Sequence, residues 1–587
     1  MDTSLKHGVG PQRELPDIRV HQLFEDRVRA HPDRIAAVCD GVAWTYDQVN
    51  RRANQIAHAL LERGVSAEDV VGVHSERHLE WLASVLAVFK AGGVYLPIEP
   101  HFPAARISAM LSRSGCRVVL RDDDPVPGHY PTTDPGLAVG AGQLAYLYFT
   151  SGSTGEPKGA MCEHAGMLNH ILAKIEDLGI EPGQVVAQTA PQCFDISLWQ
   201  LVAPLLVGAQ TLIVPQREIL DLERFLDTVV GGGVEVLQVV PSYLEVMLTH
   251  LEQRSRTLGR LRCVSVTGEE LKSELVNRWF ARFPDIALAN AYGLTETSDD
   301  TNHEVLTGPP DGDRISLGRP IRNVRIYLLD EHGEPVQDGE PGEIVFAGVC
   351  VGRGYINDPE RTAASFGSDP YRPGERSYRS GDWGRWRPDG KLEFLGRRDA
   401  QVKIRGFRIE IGEIENHVLK SSGVRDAAVV VTETPDGEKH LVAYFTGSAE
   451  PHQLGPRLAA ALPEYMVPHW FERREALPLT GNGKVDRKTL RAQAATLVSA
   501  ANQAGEPGAP LTPAELRLAE AWADVLKIPV DRITRQDDFL GLGGTSLTAV
   551  KVGIALGSAV TLKDLVAHPV LADLALVIER NTTNDAS

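Results

Sequence analysis

Residues 146–159 read YLYFTSGSTGEPKG, and this stretch decides the fold. The apolar run 146–149 predicts a buried strand that continues directly into three glycines, four hydroxyl side chains and Lys158. A loop of this composition can turn its backbone N–H groups toward an anion. The spacing differs from that of the P-loop NTPase motif, so that class is disfavoured. A strand that ends in an anion-binding loop is typical of a layered α/β protein.

The whole chain has the composition of a folded globular protein, with 587 residues, 43% hydrophobic and 24% charged. Its net charge of −18 argues against a non-specific nucleic-acid or anionic-membrane binder. Six scattered cysteines without a C-x-x-C pair predict reduced thiols. The N-terminus lacks a signal-peptide pattern, and the longest apolar stretch, 198–214, is interrupted by polar residues and proline. We therefore predict a cytoplasmic protein with no nucleic-acid and no membrane partner.

Outward from the loop, strand-like runs such as 70–73 and 235–240 alternate with amphipathic helices. One helix can be read in detail, because Thr45 and Gln48 form a capping box, apolar residues recur at helical spacing and Gly64 follows the last turn. This alternation predicts a layered α/β body.

Two stretches mark boundaries after that body. Residues 401–405 alternate as a short exposed strand, and 494–513 are rich in Ala, Gly, Pro and Ser, as in a flexible linker. Thr512 and Pro513 then cap a helix with one apolar face. The predicted fold class is α/β multidomain: a large layered N-terminal body (15–396), a small α+β unit (397–492), a linker (493–511) and a small all-α bundle (512–582).

Several further motifs stand in a fixed order before and after the phosphate loop. They are FKAGGVYLP at 89–97, NAYGLTE at 290–296, 342–355, YRSGD at 378–382, 396–410 and NGKVDR at 482–487. Together they resemble the adenylate-forming superfamily, and within it the adenylation domains of nonribosomal peptide synthetases, over about residues 20–490. Residues 537–547, DDFLGLGGTSL, resemble the attachment motif of a peptidyl carrier domain.

The resemblance implies a nucleotide site. ATP phosphates would bind the phosphate loop, Mg²⁺ would bind the hard oxygens of Glu296, the ribose would bind Asp382, and adenine would stack on Tyr292. The nucleotide-binding residues predicted in this way are Thr150, Ser151, Gly152, Ser153, Thr154, Gly155, Lys158, Tyr292, Thr295, Asp382 and Arg397.

The resemblance also implies a reaction in two stages, in which a carboxylate attacks the α-phosphate of ATP and a thiol then captures the acyl adenylate. Lys484 would act in the first stage, and Asp399 would be the hinge about which the small unit turns. The loop at Gly406 would then admit a pantetheine arm, because glycine has no side chain. Ser546 would carry 4′-phosphopantetheine, whose phosphate suits a helix N-terminus. Thr545 stands where the family usually has His or Asp.

Asp195 resembles the family's aspartate that pairs with an α-ammonium group, which implies an amino-acid substrate. The predicted pocket residues are Asp195, Ile196, Trp199, Gln238, Ser265, Thr267, Ala291, Asp299 and Asp300. Two adjacent carboxylates would be costly to bury around an apolar side chain, but they suit a cation, which Trp199 could also contact by a cation–π interaction. We predict a basic amino acid, such as 2,4-diaminobutyrate, ornithine, arginine or enduracididine. The alternative is that Asp299 and Asp300 only cap a turn.

The resemblance therefore implies an ATP-dependent ligase that loads an amino acid onto its own carrier in antibiotic biosynthesis. Two alternatives stay open: an acid–CoA ligase, against which Asp195 and the carrier tail argue, and a non-catalytic carrier or scaffold, against which Lys484, Asp382 and Glu296 argue. The expected partners are a phosphopantetheinyl transferase and downstream tailoring or condensation enzymes, with an MbtH-like protein left open. We expect product release to depend on other proteins.

Overall fold

A computed structural model describes most of the chain. The described residues are 7–152, 156–254, 256–310, 312–397, 401–404, 406–433, 439–478, 485–501, 511–526, 528–539, 542, 544, 546–556, 560, 564–565 and 568–584. Among these residues, no helix has both the length and the apolar composition required to cross a bilayer.

Two large sheets form the body, as the alternating pattern predicts. The first sheet has nine strands. Six consecutive strands of this sheet, from 287–294 to 35–39 in spatial order, pair in parallel. In spatial order its strands are Arg319–Pro320, Asp299–Leu306, Ala287–Leu294, Cys263–Val266, Val236–Val239, Val185–Gln188, Gln210–Ile213, Ile35–Cys39 and Val42–Thr45. Parallel strands buried on both faces explain why these segments are almost continuously apolar.

The second sheet has six strands and contains the strand that leads into the phosphate loop. Its order is Gly354–Tyr355, Lys158–Glu163, Leu144–Thr150, Val94–Ile98, Val70–His74 and Val118–Arg121. Leu144–Thr150 pairs antiparallel with Lys158–Glu163, so the phosphate loop is the connection of a hairpin. This pairing brings Lys158 back beside Thr150.

Helices cover both sheets, and one large hydrophobic cluster joins residues of the two sheets with the helices between them. The body helices are Val20–Ala30, Tyr46–Glu62, Leu79–Lys90, Ala104–Ser114, His164–Asp177, Ile196–Val207, Gln216–Ile219, Leu222–Gly231, Pro241–Gln253, Ser273–Arg282 and Pro359–Ser365. The capping-box prediction is confirmed: Thr45 and Gln48 exchange hydrogen bonds at the start of one helix, and Gly64 follows it with φ 80°.

A third, antiparallel sheet completes the body. It contains Val324–Leu329, Gly342–Gly348, Arg376–Trp386 and Phe366–Ser368, and Leu392–Arg397 pairs with Arg376–Trp386. This last pairing places Arg397 opposite Asp382, two residues predicted for nucleotide binding.

The small α+β unit that follows has two sheets. The strands Gln401–Ile404 and Phe407–Glu410 form a two-stranded hairpin, here called the cavity hairpin. The second sheet contains Val424–Glu433, Lys439–Gly447 and Trp470–Arg473, flanked by helices Ile411–Leu419, Pro451–Ala459 and Arg487–Ala501. The strand predicted at 401–405 exists, but the prediction that it is exposed is wrong, because Gln401 and Ile404 are buried against neighbouring residues.

The tail is a helical bundle, as predicted, with helices Pro513–Leu526, Ser546–Ala555 and Leu571–Asn584. Thr512 and Glu515 exchange hydrogen bonds at the first of these helices, which confirms its cap. Trp522 and Phe539 lie in the core of the helical bundle. The helix Ser546–Ala555 contacts the body helix Pro241–Gln253. The boundaries predicted for the four units remain a proposal.

Candidate active site

A cavity lies where the first sheet, the second sheet and the cavity hairpin meet. It has about 880 Å³ of empty space, including its open mouth. Its lining includes Thr150 and Ser151 from the phosphate loop, Asp195 and Thr295 from the body, and Gly406 from the hairpin. Residues that are far apart in sequence and were predicted to serve one reaction therefore line one space.

The phosphate-loop end of the cavity contains a buried carboxylate between two cations. Glu296 lies 3.2 Å from the Nζ of Lys158 and 2.8 Å from Nη1 of Arg408, and Tyr355 donates a hydrogen bond to it over 2.7 Å. Burial alone would raise the pKa of Glu296, but Arg408 and Lys158 outweigh it and hold that pKa well below its usual range. Glu296 is therefore ionised, and its hard oxygens would suit Mg²⁺ once Lys158 or Arg408 is displaced from them.

Gly152 allows the phosphate loop to bend tightly. A Cβ at this position would lie 2.0 Å from the carbonyl oxygen of Glu156, so only glycine fits without a rearrangement. The Gly152 N–H donates to Glu413, whose other oxygen accepts from Arg106 over 3.2 Å. An anion thus already sits on a backbone amide of this loop, which is the chemistry that a phosphate group would use. The predicted residues Ser153, Thr154 and Gly155 lie outside the described residues.

The predicted ribose and adenine residues are directly bonded to each other. The Tyr292 hydroxyl donates to Asp382 over 2.6 Å, and Arg397 donates to the other carboxylate oxygen over 2.7 Å. The Tyr292 ring packs among Phe346 and Phe394 in a hydrophobic cluster. Asp382 and Tyr292 are thus brought together as the resemblance implies, although the cavity lining passes through the neighbouring residues 293–295.

Asp195 occupies the centre of the cavity. It caps the helix Ile196–Val207 by accepting the Ile196 N–H, and its side chain also faces Thr295. The pKa of Asp195 is raised to about 6, chiefly by burial and in part by the negative charge of Asp300, and the contact with Thr295 partly offsets this rise. Within the part of the chain that the structure describes, no ion pair involves this half-buried carboxylate, which makes it a suitable partner for an ammonium group.

The predicted amino-acid pocket divides into a lining and a layer behind it. Asp195, Ile196, Thr267, Asp299 and Asp300 line the cavity. The other four predicted residues are fully or almost fully buried behind this lining: Trp199, Gln238, Ser265 and Ala291. The Trp199 indole N–H donates to Gln238 over 2.9 Å, so these two side chains bond each other.

The sequence interpretation missed a buried lysine behind the pocket. Lys174 lies on the helix His164–Asp177, with its Nζ 2.8 Å from Asp300 and 5.0 Å from the centre of the Trp199 ring. It therefore supplies both contacts that we predicted for a substrate cation at Asp300 and Trp199, and this part of the prediction is wrong. The available signal was a His170–Lys174 pair, one helical turn apart, on an otherwise apolar helix face.

The cavity hairpin forms one wall of the site. Gly406 has φ 79°, and a Cβ there would lie 2.7 Å from Val240, so the close approach requires glycine. Its N–H donates to Glu269 over 2.9 Å, and Phe407 packs against Phe194. Val240 immediately precedes the helix Pro241–Gln253, which the tail contacts.

The remaining predicted site residues are described only in part. The helix Ser546–Ala555 begins at the predicted attachment serine. Lys484 and Asp399 lie outside the described residues, so their predicted roles remain predictions. Sequence reasoning also assigned no role to Arg408 or Glu413, which bring the small unit onto Glu296 and the phosphate loop.

These features together define a nucleotide-dependent ligase with a carrier tail. The model of the AMP-binding enzyme family matches residues 24–134 and 121–356, that of the AMP-binding enzyme C-terminal domain matches 413–484, and that of the phosphopantetheine attachment site matches 517–578. The chain belongs to the AMP-binding enzyme family. It is an ATP-dependent ligase in which an adenylation region is followed by a phosphopantetheine carrier region, as in nonribosomal peptide synthetases.

The chain also matches curated peptide synthases over most of its length. The chain is 36% identical to gramicidin S synthase 2 of Brevibacillus brevis over 92% of its own length and 12% of that protein. It is also 36% identical to tyrocidine synthase 1 of Brevibacillus parabrevis, over 96% of its own length and 53% of that protein. The chain thus spans about half or less of these relatives.

Solved structures agree with these matches. Holo-PA1221, described as an NRPS protein containing adenylation and PCP domains bound to a vinylsulfonamide inhibitor, has a TM-score of 0.81 and 29% identity, covering 99% of this chain and 98% of that chain. NpsA-ThdA, an artificially fused adenylation-PCP didomain from Klebsiella oxytoca, has a TM-score of 0.70 and 27% identity, covering 78% of this chain and 94% of that chain.

Proposed function

We propose that this protein activates a basic amino acid as its aminoacyl adenylate and transfers the aminoacyl group to the thiol of 4′-phosphopantetheine on Ser546. The observation that carries the proposal is the cavity itself, in which Asp195, the phosphate loop and the Gly406 hairpin face one another. Family membership supports the chemistry, and the carrier region supports the acceptor.

In the first stage, a carboxylate oxygen of the amino acid attacks the α-phosphorus of ATP, and the bond from that phosphorus to the pyrophosphate leaving group breaks. Asp195 holds the α-ammonium group, which fixes the carboxylate in position for attack. Lys158 and the backbone amides of the phosphate loop stabilise the negative charge that develops on the phosphate oxygens. Glu296 would hold Mg²⁺, which neutralises phosphate charge when bound. Lys484 is proposed to bridge the carboxylate and the nucleotide.

In the second stage, the sulfur of the phosphopantetheine thiol attacks the acyl carbon of the adenylate, the bond from that carbon to the phosphate oxygen of AMP breaks, AMP leaves and the thiol proton is lost to solvent. The contact between the helix Ser546–Ala555 and the helix Pro241–Gln253 supports this direction of approach. So does the glycine at 406, because a side chain there would fill the space beside Val240. Asp399 is proposed as the hinge about which the small unit turns, so that Lys484 leaves the site and the loop at Gly406 faces it.

The choice of a basic amino acid now rests on Asp299. Asp300 is paired with Lys174, but Asp299 lines the cavity, and its Oδ2 lies 3.6 Å from Nδ1 of His170. Burial keeps the pKa of His170 well below its ordinary value, so this imidazole is neutral, while burial and the neighbouring Asp195 and Asp300 raise the pKa of Asp299 well above its ordinary value. A side-chain ammonium or guanidinium group would supply the missing charge. The cytoplasmic location, the phosphopantetheinyl transferase, the downstream enzymes and an MbtH-like partner remain predictions from the sequence.

Amino-acid-dependent exchange of labelled pyrophosphate into ATP tests the first stage. A panel of the twenty common amino acids with 2,4-diaminobutyrate and ornithine should give the fastest exchange with a basic member. Exchange with leucine or phenylalanine as the best substrate would contradict the basic class. Exchange with fatty or aryl acids alone would favour the acid–CoA ligase alternative, and no exchange with any acid would favour a non-catalytic carrier.

Intact-mass analysis tests the second stage. Treatment with a phosphopantetheinyl transferase and coenzyme A should add one phosphopantetheine to the wild-type chain and none to Ser546→Ala. Thr545→Ala is the matched control, because it removes the neighbouring hydroxyl and should still be modified. Loading with ATP and the amino acid should then add an aminoacyl mass only to modified protein; loading of the unmodified protein would contradict the proposed acceptor.

A further inference from the structure

Lys174 is a fully buried cation directly behind the wall of the amino-acid pocket. It has no exposed surface, and its ammonium group is 2.8 Å from Asp300, which is itself almost fully buried. A buried ammonium is costly unless a partner compensates it, and removing one member of such a pair leaves an uncompensated charge. Lys174 and Asp300 therefore form a unit with no net charge.

Asp300 has a second contact in the pocket wall. The Thr267 hydroxyl lies 3.1 Å from its Oδ1 and 2.9 Å from the carbonyl oxygen of Ala291, so the single hydroxyl proton is donated to one of these two acceptors at a time. Lys174 and Thr267 together fix the position of Asp300, and the ammonium group balances its charge.

Asp299 is held differently. Ser298 and Asp299 have φ values of 57° and 84°, and two consecutive non-glycine residues in this region indicate a constrained turn. The Ser298 hydroxyl fixes the turn by donating to the carbonyl of Cys350 over 2.8 Å. The turn places Asp299 in the cavity lining. There its Oδ2 lies 3.6 Å from Nδ1 of His170, whose imidazole is neutral.

Lys174 also limits the depth of the pocket. Its side chain occupies the space between Trp199 and Asp300, and Trp199, Gln238 and Ser265 lie buried behind the lining. The cavity thus ends at Asp299 and Asp300 instead of reaching the indole. A substrate side chain that contacts Asp299 must therefore be short.

We propose that Lys174 determines substrate specificity by cancelling Asp300, so that Asp299 alone binds the substrate side chain and the pocket selects an amino acid with one cation on a short chain, such as 2,4-diaminobutyrate or ornithine, over arginine. This inference rests on the proposed function and narrows its substrate class. Lys174 acts through Asp300 and does not contact the substrate, so it is a positioning residue.

A metal ion at this cluster is the competing explanation. His170, Asp300 and His303 bring potential ligand atoms within 4.8 Å of one another. The ammonium group of Lys174 already occupies the Asp300 oxygen, and a metal ion beside it would meet like-charge repulsion. Lys174 therefore fills the role that a cation would have there.

The test measures a ratio of substrates, which general damage to the fold does not change. The kcat/KM of pyrophosphate exchange is compared for 2,4-diaminobutyrate and homoserine, which differ mainly in an ammonium against a hydroxyl group. We expect the wild type to favour the diamino acid by roughly tenfold or more, and Asp299→Asn to remove most of that preference. Asp300→Asn should also lower the ratio by roughly tenfold, because it leaves Lys174 as an uncancelled positive charge. Lys174→Met should raise the ratio at pH 8.

The double variant Lys174→Met with Asp300→Asn removes both charges and should return the ratio to within about threefold of the wild type. This result also decides the question if a single variant fails to fold. Lys90→Met is the matched control, because Lys90 is likewise buried and paired, with Glu25 and Asp134, in contacts away from the cavity lining. It should leave the ratio unchanged. Lys174→Ala should in addition improve arginine relative to ornithine, because it deepens the pocket.

Three outcomes would overturn the inference. A ratio unaffected by both Lys174→Met and Asp300→Asn would show that the pair does not act on the substrate. A wild type that prefers a neutral amino acid would refute the substrate class but leave amino-acid activation intact. A wild type that activates no amino acid would refute the proposed function and this inference with it.

Discussion

The two ends of the cavity have opposite balances of buried charge. At the phosphate-loop end one carboxylate, Glu296, lies between Lys158 and Arg408. At the amino-acid end three acidic side chains, Asp195, Asp299 and Asp300, lie close enough to influence one another, and Lys174 is ion-paired with Asp300. An excess of cations suits a triphosphate, and an excess of anions suits an ammonium group. The charges alone therefore orient a zwitterion and a nucleotide so that the carboxylate and the α-phosphate meet between them.

The largest expected effect comes from breaking the acidic end at its centre. Asp195→Asn should lower kcat/KM for the amino acid in pyrophosphate exchange by roughly a thousandfold, because losing one partner of a buried charge pair costs about 3–5 kcal/mol. The matched control is Asp221→Asn, which removes another helix-capping aspartate, from the helix Leu222–Gly231, outside the cavity lining. A similar loss in both variants would mean that capping, and not recognition of the ammonium group, explains the effect.

Breaking the cationic end should affect the second stage. Arg408→Met leaves Glu296 with Lys158 and weakens the contact of the hairpin with the body by about 2 kcal/mol, so aminoacyl transfer to the carrier should slow roughly thirtyfold. Single-turnover loading measures this rate, and pyrophosphate exchange should fall by a smaller factor, because Lys158 remains at this end of the cavity. Arg385→Met, which removes a half-exposed arginine paired with Glu393, is the control. Equal losses in exchange and loading would contradict the assignment of Arg408 to the second stage.

A smaller effect is expected from the hairpin backbone. Gly406→Ala places a side chain at φ 79° and 2.7 Å from Val240, and the left-handed conformation costs a non-glycine residue about 1–2 kcal/mol. Carrier loading should slow roughly tenfold. Adding Val240→Ala relieves the contact but not the strain, so it should restore part of the rate. A double variant no better than Gly406→Ala would leave backbone strain as the whole cause.

The smallest effect near neutral pH concerns the protonation of Asp195. Its pKa is raised to about 6 by burial, and only the ionised form pairs with an ammonium group. The kcat/KM for the amino acid should therefore be nearly constant above pH 7, about half-maximal at pH 6 and about tenfold lower at pH 5. Because Asp300 contributes to raising this pKa, Asp300→Asn should move the decline to lower pH. If the decline in kcat/KM falls at the same pH in Asp300→Asn as in the wild type, it reflects the protonation of a group other than Asp195.

Local signals in the sequence predicted much of the fold. The strand before the phosphate loop, the capping box at Thr45 and Gln48, and the capped helix at Thr512 depend on neighbouring residues, and all three are present. These three features share one cause, because each depends on a short-range pattern. Asp195, Thr267, Asp299 and Asp300, which the resemblance implies for the pocket, line one cavity, and their roles remain predictions.

What could not be predicted depends on long-range packing. Lys174 and Asp300 are 126 positions apart, and Arg408 and Glu296 are 112 positions apart. No periodicity in the sequence links such positions, because the contact follows from how a helix seats against a sheet. Gly166 illustrates this: a Cβ there would lie 2.3 Å from the Ser298 hydroxyl, so a missing side chain lets the helix that carries Lys174 approach the turn at Asp299. The sequence interpretation therefore did not indicate that Lys174 takes the contacts predicted for a substrate cation at Asp300 and Trp199.

The bond from the Gly152 amide to Glu413 has a consequence for the order of events. That one N–H can serve either the carboxylate of the small unit or an oxygen of the nucleotide, but not both at full strength. Seating of the small unit in this position and occupation of the loop by phosphate are thus competing equilibria. Glu413 thus competes with pyrophosphate for this amide. A stronger bond from Gly152 to Glu413 makes rebinding of released pyrophosphate less favourable and so favours the forward direction.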